Sequence, residues 1–396
     1  MVATEYPWPR DSGSRMRMAT TLQALRRCGP VELFTAVSAT RRDFAPPPPD
    51  LALDRVERIA IDDRPPGAGD LARFVARPSD PFEMALRARP TVRAALARFA
   101  SGHYDLVWYF QAHAWVLSGP PRLAPSVVDL VDAENAKIEA EASVARRERQ
   151  TGLRRLAKRA WTVEDVRRWG RLHRRIGAAT SAVVVCSELD ARRAGIAGIR
   201  VIGNDYPVPH PPVGRLEVSS PPVLVFQGTL RYSPNADAVR YLVDDIGPRL
   251  RALVPDVQVR LVGVASEALA ELADPPAVTL TGRVPDMTAE LARADLVVIP
   301  LRYASGTRIK ILEAFAHRIP VVSTSVGAEG LAVRPGRHLL VADDPESFAR
   351  ACAELLRDSA LRRSLVDEAH ALYLERYQSS RVEEEVMALA RELTGR

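Results

Sequence analysis

The chain has 396 residues, 47% of them hydrophobic and 26% charged, too long for one ordinary core and too apolar for a disordered polymer, so two folded domains are expected. Its three cysteines, Cys28, Cys186 and Cys352, lie far apart without CxxC spacing, which excludes a disulfide framework and a cysteine-based zinc site. The net charge of +6 is unevenly spread: residues 141–175 carry twelve Arg or Lys against four acidic residues, leaving the rest of the chain slightly acidic.

The opening MVATEYPWPRDSG lacks a basic flank followed by an apolar run, and no segment approaches the ~18 apolar residues that span a bilayer. A cytoplasmic protein with reduced thiols is expected. A first strand falls within MVATEYP, where only about four residues precede the turn at Pro7 and Pro9, short for a central strand. Further strands are predicted at VELFTAV (31–37), VERIAI (56–61), YDLVWYF (104–110), SVVDLVD (126–132), SAVVVCS (181–187) and RVIGN (200–204). Between them the basic stretch Arg146 to Arg175 interleaves Leu153, Leu156, Trp161, Val166, Trp169 and Leu172, the pattern of an amphipathic helix pair. Such a run is either a solvated helix face or a peripheral contact with anionic membrane. No nucleic-acid module accompanies the charge, so nucleic acid is not an expected partner.

Residues 204–222, NDYPVPHPPVGRLEVSSPP, read as an interdomain linker, because proline lacks a backbone donor and fixes φ. From Val223 onward, apolar runs at 223–228, 257–263, 278–282, 295–300, 320–324 and 338–343 alternate with amphipathic stretches. Continuous apolar strands between helical patterns mean a parallel sheet covered on both faces. The expected class is therefore α/β, with two Rossmann-like doubly wound domains, 1–203 and 223–375, followed by a C-terminal helix over 376–396.

The usual signatures of such sheets are missing: there is no GxGxxG after the first strand, no GxxxxGK[ST], no GxSxG and no HExxH. Instead YASGTRIKILE (303–313) follows the strand DLVVIP and opens a helix. Ser305, Gly306 and Thr307 form a small turn whose N–H groups would point to the carboxyl end of the sheet. Arg308 and Lys310 then fall in the first turns, where cations oppose the helix dipole unless an anion, most simply a diphosphate, is near. Glu313 lies one turn on and could accept from ribose hydroxyls. Lys310 and Glu313 also have the spacing of a solvated i,i+3 ion pair.

The run GTRIKILEAFA (306–316), with IPVVSTSVGAEGL after it, resembles the donor-site signature of the retaining GT-B glycosyltransferases of family four, also called group one, in their GTR-x-K-x-x-EA branch. FQGTLRYSPNADAV (226–239) and TGRVPD (281–286) are similar to two further pieces of that family, in its order and spacing. The resemblance covers residues 223 to about 358, and is weaker before them. It implies a GT-B fold whose two domains face a central cleft, with the last helix packed back on the N-terminal domain. It also implies transfer of a sugar from a nucleotide diphosphate sugar, a substrate rather than a cofactor, to a glycan, lipid-linked or small-molecule acceptor, without a bound metal.

By that resemblance Gly13, Gly306, Thr307, Arg308 and Lys310 would hold the diphosphate and Glu313 the ribose. Gly282, Arg283 and Val284 would hold the base, and Gly228, Arg231, Asn235 and Ser305 would line the donor cleft. Gly228 and Gly282 could equally serve strand-end turns, and Asn235 could cap a helix. His113, just past a strand end, is the catalytic candidate, though a histidine in QAHAW also suits a packed position; Asp129 and Asp132 are candidates for acceptor hydroxyls or ordinary loop residues. Many members carry a Glu-x7-Glu pair, whereas Ser305 stands at the first position here. A catalytically silent nucleotide-binding partner subunit and a UDP-sugar 2-epimerase of the same architecture are the alternative readings.

Overall fold

The computed structural model describes the chain except residues 41–43, 50, 62–68, 70–71, 73–75, 77–79, 88–89, 120–124, 132–133, 136–137, 140–152, 216, 305, 307 and 396; for residues 85–87, 90 and 153–158 only the backbone is described. The chain forms two compact units, Met1–Asn204 with Ser380–Arg396, and Asp205–Ser379.

In the first unit β1 (Val2–Ala3), β2 (Glu32–Ser38), β3 (Arg55–Ile61), β4 (Val107–Phe110), β5 (Ser126–Val131), β6 (Ala182–Val185) and β7 (Arg200–Val201) form a parallel sheet of order β3-β2-β1-β4-β5-β6-β7. β1 has two residues yet lies centrally, bonded to β2 and β4. Alternation along a strand sends neighbours to opposite faces. Thus Tyr109 joins a core with Trp169, Leu172 and Ile176, while Trp108 and Phe110 join one with Trp8, Met18 and Leu22. The helix Ser379–Thr394 covers the second face with Val382, Val386 and Leu389, and Glu383 pairs with Arg27 at 2.8 Å.

The basic stretch departs from expectation. Its described part is one 27-residue helix, Leu153–Ala179, and residues 146–152 lie outside the described residues. Trp169 and Leu172 are buried in the unit's own core, so they are unavailable to lipid. Arg168 and Arg171 pair with Glu164, and Arg175 pairs with Asp80 while stacking on Trp115. Trp161 stays 43% exposed, edge-on to Phe82. No described helix is long and apolar enough to cross a membrane.

The same helix buries His173 completely beside Trp169, with neither ring nitrogen bonded to a described residue. Burial holds this imidazole down at about 4. The unfolded chain takes up the proton near 6.5, so folded stability falls as pH drops from 6.5 towards 4. Wild-type protein is expected to lose about 2 kcal/mol from this site between pH 7 and pH 5. Thermal melts at the two pH values should show a smaller drop for His173→Phe; equal drops would exclude His173 as the source.

In the second unit β8 (Val223–Gln227), β9 (Gln258–Val262), β10 (Val278–Gly282), β11 (Leu296–Ile299), β12 (Val321–Ser323) and β13 (Leu340–Val341) form a parallel sheet of order β10-β9-β8-β11-β12-β13. β11 and β12 are buried throughout, as strands covered on both faces must be. Residues 205–215 and 217–222 are a packed strap of this unit. Gly214 donates to the His317 carbonyl at 2.8 Å, and a Cβ there would lie 2.3 Å from the Arg318 carbonyl. Ser219 and Val223 donate their N–H groups to the buried Asp295 carboxylate. Prolines exclude a helix, but an extended strap tolerates them.

Candidate functional site

At the carboxyl end of the second sheet, three neighbouring strands end in glycine. Gly228 follows β8 with φ of 141°, Gly263 follows β9 with φ of 137°, and Gly282 closes β10 with φ of 70°. The Gly263 N–H donates to the Gly282 carbonyl at 3.0 Å, and a Cβ on Gly263 would lie 1.8 Å from the Gly228 carbonyl. Only glycine permits both this conformation and this approach. The result is a ledge of bare backbone. Gly263 escaped the sequence reading, although VQVRLVG ends as VLVFQG does.

Beside the ledge, the helix Ile309–Ala316 begins at Arg308, whose side chain is buried and donates to the Gly306 carbonyl. Gly306 has φ of 69°. Ser305 and Thr307 lie outside the described residues. Lys310 Nζ donates to Asn235 Oδ1 at 2.9 Å and sits 4.3 Å above the Phe226 ring. Gly228 leaves room for this pair, since a Cβ there would be 3.3 Å from Nζ and 3.1 Å from Asn235 Nδ2. Burial, then the Arg308 charge, brings Lys310 down to about 7. Asn235 is not a cap: it lies inside the helix Ser233–Arg240, its Nδ2 donating to the Thr229 carbonyl at 3.0 Å.

Glu313 is held on both oxygens. Tyr206 Oη donates to Oε1 at 2.9 Å and Gln227 Nε2 donates to Oε2 at 3.1 Å. Burial raises the Glu313 carboxyl while these two bonds and Lys310 oppose the shift. Gln227 and Tyr206 were not among the sequence candidates; Gln227 alone carried a signal, as a polar residue ending an apolar strand. Arg231 is exposed and its N–H donates to the Val264 carbonyl at 3.0 Å; Arg283 is exposed and Val284 packs partly on the core.

The remaining candidates belong to the first unit. Gly13 opens the helix Gly13–Cys28. His113 lies in the first turns of Gln111–Ser118, its Nε2 3.3 Å from Glu83 Oε1 and its ring 5.9 Å from Trp169. Gln111, the first residue of that helix, has φ of 69°, and Val131, ending β5, has 68°, both unfavourable for residues bearing a Cβ. Asp129 must be corrected as an acceptor-binding residue. It is fully buried, takes Arg17 Nε at 2.9 Å and Nη2 at 3.1 Å, and receives the Val131 N–H at 3.1 Å. Arg17 continues to the Ile202 and Gly203 carbonyls at 2.9 and 2.8 Å. That carboxylate anchors the unit. Asp132 lies outside the described residues.

The architecture of two parallel-sheet α/β domains is that of the GT-B glycosyltransferases. The chain is similar to sucrose-phosphate synthase from Thermosynechococcus elongatus (TM-score 0.68, 16% identity, 97% of this chain and 94% of that one). It is similar to Anabaena HepE in complex with UDP-glucose (0.63, 15%, 99% and 98%) and to WaaG, a glycosyltransferase involved in lipopolysaccharide biosynthesis (0.64, 17%, 100% and 99%). Residues 221–358, holding the glycine ledge, Asn235, Lys310 and Glu313, match the model of the family "Glycosyl transferases group 1". Among curated proteins, an uncharacterized 44.6 kDa protein in the cps region of Klebsiella pneumoniae is 23% identical over 40% of this chain, and an exopolysaccharide phosphotransferase of Streptomyces coelicolor is 35% identical over 24% of it. The chain spans 43% and 10% of the length of these two.

Proposed function

We propose that this chain is a glycosyltransferase of family four that uses a nucleotide diphosphate sugar as donor, with retention at the transferred carbon. The observation that carries this reading is the half-buried Lys310, set beside the buried Arg308 and Asn235 on a ledge of bare backbone, within the stretch that matches group one. Departure of the sugar builds negative charge on the leaving phosphate oxygen. Lys310, Arg308 and the first N–H groups of the helix Ile309–Ala316 are fixed cations and dipoles that would stabilise that charge without a metal. Gly306 and Thr307 would complete the cradle, Gly282 to Val284 would receive the base, and Glu313 the ribose. The acceptor hydroxyl then attacks from the face the nucleotide leaves, and the departing phosphate takes its proton.

The cps-region relative and the exopolysaccharide phosphotransferase support a polysaccharide acceptor. Thermal-shift measurements with UDP, GDP, ADP and TDP and their sugars, with and without EDTA, test the reading. A selective rise in melting temperature that survives EDTA is expected. No rise with any of them would overturn it in favour of another function, whereas binding without donor hydrolysis or transfer would favour a silent partner, for which Ser305 in place of a glutamate already speaks.

A further inference from the structure

Glu313 has two partners far from it in sequence. Gln227 ends β8 and is buried, and Tyr206 lies at the start of the strap, where the chain enters the second unit. Tyr206 is itself fixed: its N–H donates to the Tyr377 carbonyl at 3.0 Å, and its own carbonyl receives Tyr373 Oη at 2.9 Å. Its ring is 6.0 Å from that of His317. Gln227 is fixed by a second bond from Nε2 to the Lys310 carbonyl at 3.4 Å, and its Oε1 has no hydrogen-bond partner among the described residues. A carboxylate has about four acceptor positions. Tyr206 and Gln227 occupy one on each oxygen, which fixes the plane of the carboxylate and with it the remaining positions.

We propose that Tyr206 and Gln227 are positioning residues that aim Glu313 at the two ribose hydroxyls of a nucleoside diphosphate, making the site selective for ribose over a sugar lacking those hydroxyls. This rests on the donor-site reading of Lys310 and Glu313. A carboxylate free to rotate would gain the same two hydrogen bonds only after losing that freedom, and would discriminate less. Gln227 Oε1, buried beside Glu313, adds an acceptor that a hydroxyl could satisfy and a hydroxyl-less sugar would leave bare.

The test measures Kd by calorimetry for UDP, GDP and ADP and for their 2′,3′-dideoxy counterparts, in wild type, Tyr206→Phe and Gln227→Met. Wild type should prefer the ribose form of its nucleotide at least tenfold. Each variant should lose most of that ratio while binding the dideoxy form as wild type does, a pattern that general damage to the unit would not produce. Wild-type discrimination that persists in both variants would overturn the positioning role and leave the donor-site reading standing. Equal wild-type affinity for the two forms would overturn the ribose role of Glu313, and no binding of any nucleotide would overturn the donor site with it.

Discussion

Lys310→Ala is expected to weaken nucleoside diphosphate binding by about one to three kcal/mol, the range of a lost charge-assisted contact. The wild-type affinity should also depend on pH with a definite sign. Lys310 is near half-charged at pH 7 in the free protein, because burial and Arg308 disfavour the ammonium. A diphosphate beside it favours the charged form, so binding takes up a proton and weakens as pH rises above about 7. Between pH 7.5 and 9, where the diphosphate itself no longer titrates, the loss should reach roughly 25-fold, and Lys310→Arg should abolish the slope because arginine stays protonated. Calorimetry in buffers of different ionisation enthalpy reads the proton uptake directly. A flat wild-type profile would remove Lys310 from the diphosphate site.

The second large effect concerns stability. Asp129→Ala leaves the Arg17 guanidinium buried without the carboxylate that accepts from its Nε and Nη2, a change that typically costs about 3–5 kcal/mol. All five tryptophans, Trp8, Trp108, Trp115, Trp161 and Trp169, belong to the first unit, so their fluorescence in urea reports that unit alone. The midpoint should fall sharply, and Arg17→Met combined with Asp129→Leu should recover much of it. A fall below about 1 kcal/mol would mean that the carboxylate faces solvent and could serve an acceptor after all.

The doubly wound fold was legible because strands buried on both faces are written as unbroken apolar runs, such as VLVFQ and LVVI. The cations at 308 and 310 were legible because charges at a helix start ask for an explanation. What stayed hidden depends on partners distant in sequence. Arg17 meets Asp129 across 112 positions, and Tyr206 meets Glu313 across 107. Without those partners an aspartate near a strand end reads as a binding residue, and a tyrosine among prolines reads as linker. The stripe of Trp169 and Leu172 was ambiguous for another reason: an apolar face looks the same whether it meets lipid or the protein's own core.

The first unit is closed by Ser380–Arg396, with the whole of Asp205–Ser379 lying between its two pieces in the chain. On a ribosome, therefore, the half made first would be the half completed last. Trp8, Met18 and Leu22 would wait for Val382, Val386 and Leu389 to emerge, while the second unit already had every residue it needs.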